Sequence, residues 1–92
     1  MLSERTYQEI DRLTGAALLE LSGQDVIERV TLIRGYVQLL AAVPERSDYE
    51  TELANVLLDL SRLAIRQGKA ELTLDLQLVV TAIDADRLRT GA

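Results

Sequence analysis

Histidine and cysteine are absent from this 92-residue chain, and so are phenylalanine and tryptophan. Their absence removes the side chains that most often shuttle protons, act as activated nucleophiles or bind metals near neutral pH. It also excludes a disulfide framework, which fits a reducing compartment. No catalytic residue, metal or cofactor is therefore expected. Proline occurs once, at Pro44, and the aromatics are three tyrosines, so any core must be aliphatic. Basic charge is scarce: 10 Lys and Arg stand against 15 Asp and Glu, for a net charge of −5. An acidic chain gains nothing from the counterion release that drives nucleic-acid binding, and anionic lipid headgroups repel it. Direct nucleic-acid binding is thus disfavoured. Long hydrophobic runs are missing too. The longest, Leu39 to Val43, falls far short of the ~18 residues of a spanning helix. The opening Met-Leu-Ser-Glu-Arg-Thr has no basic-then-apolar signal pattern. These absences predict a non-enzymatic, soluble, cytoplasmic protein that stays off the membrane.

What the chain has in quantity is leucine, 18 residues of it, within an apolar content of 48%. Ser22-Gly23, Val43-Pro44 and Gly68 divide it into four segments of helical periodicity. In the first, Ile10, Leu13, Ala17 and Leu21 keep one apolar face, with a start at Ser3 or at the capping-box spacing Thr6–Glu9. Ser22-Gly23 reads as its left-handed stop. In the second, Val26, Val30, Ile33, Val37 and Leu40 step by 4, 3, 4 and 3, and Pro44 forbids continuation. Ser47 and Glu50 have capping-box spacing ahead of Tyr49, Leu53, Val56, Leu60 and Leu63. The fourth segment reads two ways. Leu72 to Leu78 alternates like a strand, yet Leu72, Leu76, Val79, Val80 and Ile83 form a helical stripe, with Leu74 and Leu78 on a second face. Its Leu, Asp and Gln content favours the helix. The expected fold is all-α: one domain over residues 1–92, a compact bundle of about four amphipathic helices.

The apolar arcs exceed what one small bundle needs, since a surface helix gives about three or four positions in seven to its core. A homodimer or a docked protein partner is the expected use of the surplus. The candidate interface residues are Tyr36 and Leu39 on the second helix, Tyr49, Leu57 and Leu58 on the third, and Leu74 and Leu78 on the fourth. Tyrosines suit this role because an amphipathic ring anchors an interface at low entropic cost, and core packing accounts for either ring equally well. Arg62, Arg66 and Lys69 make a candidate basic patch, which cations capping a helix end explain more simply. Asp48, Glu50 and Glu52 read as first-turn acids opposing a helix dipole, and Asp84 and Asp86 as part of a solvated helix end beside Arg87 and Arg89. Gly15 and Gly35, inside helices, suggest close helix–helix approach.

From Leu13 to about Leu60 the pattern resembles the small bacterial biofilm-development regulators of the YmgB/AriR type, a family of two-component connector proteins. The matching elements are Leu19-Glu20-Leu21-Ser22-Gly23 with Val26, an apolar helix carrying Ile33 and Leu40, an acidic turn, and Tyr49, Leu53, Val56 and Leu57. The segment from Lys69 to Ala92 has no counterpart in it. The resemblance implies a helical homodimer that regulates by binding other proteins. Residues and resemblance together lead to the expectation of a small regulator or adaptor, its partner a regulator or sensor protein. The alternative use of the acidic charge is an inhibitor of the phage-derived type that mimics nucleic acid to block a defence or transcription complex.

Overall fold

Ser3 opens the first helix. Its backbone is extended and its hydroxyl accepts the Thr6 amide at 3.2 Å, satisfying a donor that a helix start leaves unbonded. In the computed structural model, which describes residues 1–91 and side chains as far as Arg89, four helices follow. They are α1 (Glu4–Glu20), α2 (Gln24–Ala42), α3 (Ser47–Arg66) and α4 (Ala70–Gly91). Each packs on the next and α4 returns to α1, closing an up-down ring of 38 × 21 × 18 Å. Among the described residues there is no strand. The alternation over Leu72–Leu78 is helical, because Leu72, Leu76, Val79 and Ile83 can then all turn inward, each at most 4% exposed. A lone strand would have left its backbone without a partner.

The connections differ from their expected form in two places. α1 ends at Glu20 with Leu21 already extended, so Gly23 acts as the N-cap of α2 at φ +109°, ψ 154°, a conformation open essentially to glycine alone. Ser47 and Glu50 form no capping box: Arg46 precedes the helix, no side chain caps it, and Glu50 turns inward instead. Gly68 does end α3 as expected, at φ +76°, with the Lys69 amide reaching back to the Ala64 carbonyl at 3.0 Å. Gln67 then ties the two turns at this end together. Its amide oxygen accepts from the Ser22 N–H at 2.9 Å and its amide nitrogen donates to the Ser22 carbonyl at 2.8 Å.

Ile10, Leu13, Ile33, Leu40, Leu53, Leu57, Leu60, Leu76 and Ile83 fill the centre, each fully buried. Leu57 therefore belongs to the core and not to an interface. It falls between Leu53 and Leu60 on the inward arc of α3, which packs on both α2 and α4. The interior glycines admit no close helix crossing either. A Cβ built on Gly15 or Gly35 would meet no atom within 4 Å. Alanine at either site should stabilise by about 1 kcal/mol through backbone entropy, and raise the melting temperature by roughly 4–8 °C. A calorimetric scan of the two single variants checks this; a fall in melting temperature would show a packing role.

Candidate protein-binding surfaces

Two exposed apolar faces hold most of the candidate residues, while Leu18, Leu19, Ile27 and Ile65 are exposed elsewhere. On the first, α2 contributes Leu32, Tyr36 and Leu39, spaced by four and three, and α3 contributes Tyr49 and Leu63, fourteen positions apart with the buried Val56 between them. Such spacings keep each set on one edge of its helix. Tyr36 and Tyr49 meet across the helix pair with ring centroids 6.2 Å apart and planes tilted by 48°. Both rings are half-buried, whereas Leu32 and Leu39 stand 48% and 44% exposed beside them. The Arg46 guanidinium covers the Tyr49 ring at 4.3 Å and holds Asp48 through bonds of 2.9 and 2.6 Å. That hydrogen bonding keeps the Asp48 carboxyl below the usual carboxylate range. Tyr36, Leu39 and Tyr49 are thus brought together; Leu32 and Leu63, absent from the expected set, complete the face.

The second face is the outward side of α4. Leu74 and Leu78 are 56% and 57% exposed, and Leu88, further along the helix, is 77% exposed. Leu58 lies nine residues from Tyr49, half a turn in helical phase, which puts it on the opposite edge of α3, beside α4 and half-buried.

The expected basic patch is split. Arg62 and Arg66 line a shallow groove between α2 and α3 of about 240 Å³, together with Arg29, Asp25, Asp59 and Leu63. Arg62 bonds Asp59 at 2.9 Å and Arg29 stands 3.7 Å from Glu28, so acid interleaves the cations. Lys69 sits in the exposed turn beyond the groove. Elsewhere Arg12 bridges Glu9 and Asp75, at 2.9 and 3.6 Å. Hydrogen bonding from Arg12 lowers the Glu9 carboxyl.

The opposite end of the bundle corrects the expectation of solvated acids. Asp84 is exposed, but Asp86 is 3% exposed. It accepts the Ser3 amide at 2.9 Å and the Thr6 hydroxyl at 2.7 Å, and it is also bonded by Arg89. Glu50, expected only to oppose a dipole, is likewise 3% exposed, with the Met1 ammonium 3.3 Å from Oε2 and Arg87 Nε 3.7 Å from Oε1. Burial, and secondarily the charge of Glu50, raises the Tyr7 phenol above its ordinary range. An open recess of about 660 Å³ beside Glu50 is lined by Glu45, Asp84, Arg87 and Leu88 among others. The sequence signal for this cluster was faint: the inward stripe Leu72, Leu76, Val79, Ile83 continues to Asp86, a position read there as the helix end.

Among the described residues no group of three or more acids could hold a metal ion, and no helix is long and apolar enough to cross a membrane. Ser61 is buried with its hydroxyl donating to the Leu58 carbonyl at 2.6 Å. Set beside known protein families, curated proteins and solved structures, the chain matches none of them.

Proposed function

We propose that this protein is a small cytoplasmic regulator without catalytic activity, a homodimer whose α2–α3 face receives an amphipathic helix from a regulator or sensor protein. The observation that carries the reading is the Tyr36–Tyr49 pair flanked by Leu32 and Leu39, nearly half exposed in the folded chain. Aromatic anchors beside exposed leucines, with a charged rim, have the make-up of a helix-receiving groove. A net charge of −5 steers a partner with basic residues beside its apolar stripe, and disfavours direct nucleic-acid contact. The resemblance read in Leu13 to about Leu60 would imply the same kind of regulator. The inhibitor reading has less support, because Glu9, Glu28, Asp48, Asp59 and Asp75 each stand within ion-pair distance of an arginine. A phosphate mimic needs its carboxylates free.

The test is capture from nuclease-treated lysate by the tagged wild type, by a Leu32→Glu/Leu39→Glu variant and by Leu78→Asp. The expected result is a protein retained by the wild type and by Leu78→Asp but lost from the double variant, with helicity equal in all three. Equal capture by the double variant, or capture by none, refutes the assigned face.

A further inference from the structure

Along the outer side of α4, Leu74, Leu78, Thr81, Ala85 and Leu88 recur by 4, 3, 4 and 3, and all five are exposed. A repeat of about 3.5 residues is the spacing of a coiled-coil seam. The helix spends its other apolar stripe, Leu72 to Ile83, on its own core, and this one stays exposed among the described residues. From Leu74 to Leu88 the seam runs about 21 Å.

We infer that α4 packs antiparallel against α4 of a second copy, with the two-fold axis passing beside Thr81. This deepens the homodimer in the function proposed above and rests on it. Glu71 decides the direction, because it continues the same repeat one step before Leu74. A parallel pair sets Glu71 against its own copy, like charge on like charge. In the antiparallel pair Glu71 passes beyond Leu88 of the second copy, Leu74 meets Leu88, and Leu78 comes within one residue of the level of Ala85, large against small. The flanks then match as well. Asp75, 41% exposed beside Arg12, comes within two residues of the level of Arg89, 69% exposed beside Asp86; on the other flank Gln77 lies near Asp84. The Glu50–Arg87 pair sets α3 against α4 so that Leu58 stands near the level of Val79 and Val80, close to the same axis. Leu58 therefore meets its own copy and widens the contact to two helices.

The chain has no cysteine, which permits a direct test by disulfide trapping. Light scattering should give twice the 10.2 kDa chain mass for the wild type. Leu78→Asp, at a position exposed in the monomer, should halve that mass without loss of helicity. Under mild oxidation Thr81→Cys should form a covalent dimer, while Leu74→Cys, held far from its own copy, should not. A wild type of single-chain mass, a Leu78→Asp variant that stays dimeric, or a Leu74→Cys variant that cross-links as readily as Thr81→Cys overturns the seam. Loss of partner capture in the Leu32/Leu39 variant at unchanged mass would bear on the docking face and leave the dimer standing.

Discussion

Aspartate at position 57 is expected to unfold this protein, while aspartate at position 78 leaves it folded. The two leucines look alike in sequence, each lying in a leucine-rich helix beside an obvious stripe. In the bundle Leu57 is 0% exposed and Leu78 57%. Removing a buried leucine side chain costs about 3–5 kcal/mol in lost transfer and cavity energy, and an unpaired carboxylate in its place adds a desolvation penalty of several more. A chain of this length has on the order of 5–14 kcal/mol of total stability. The Leu57→Asp variant should therefore lose its cooperative urea transition in far-ultraviolet circular dichroism. Leu60→Asp, equally buried, should do the same. A Leu57→Asp protein that still unfolds cooperatively within about 1 kcal/mol of the wild type would mean that α3 is rotated from the orientation described.

The contrast between Leu57 and Leu78 also marks where periodicity alone stops informing. Stepping by three and four identified the inward stripes, and Ile10, Leu13, Val30, Ile33, Leu53, Leu60, Leu76 and Ile83 are buried as those stripes require. An arc as wide as that of α3 has no edge in sequence, however. Whether Leu57 or Leu58 faces the core depends on two neighbouring helices at once, and that angle is a tertiary fact. The caps fared unevenly for a related reason. Ser3 and Gly68 do what their residue types dictate locally, whereas Glu50 leaves its expected role for an ion pair with Arg87, 37 positions away in sequence. The Tyr36–Tyr49 contact joins residues whose types suggested an interface but whose meeting depends on how α2 packs on α3. Asp86 was the least visible, because acids and arginines at a helix end ordinarily belong to solvent.

Asp86→Ala is accordingly the second substitution with a large expected effect, about 3 kcal/mol of lost stability. The carboxylate joins both ends of the chain: it accepts from the Ser3 amide and the Thr6 hydroxyl at the start of α1, and it receives Arg89 from its own helix. A hydrogen bond to a charged group contributes about 1.5–3 kcal/mol, and deleting the acceptor leaves the Thr6 hydroxyl, itself in a residue 4% exposed, without that bond. Asp86→Asn keeps an acceptor and should cost less, since the amide oxygen can still take one of the two donors. Thr6→Val removes the hydroxyl at nearly constant shape and should cost about 1 kcal/mol. If the two residues act through their 2.7 Å bond, the double variant will lose less than the two single losses combined, by about 1 kcal/mol or more. Additive losses would place the stabilisation in the separate packing of each side chain. A cost below about 0.5 kcal/mol for Asp86→Ala would return this residue to the solvated helix end that its sequence neighbours suggest.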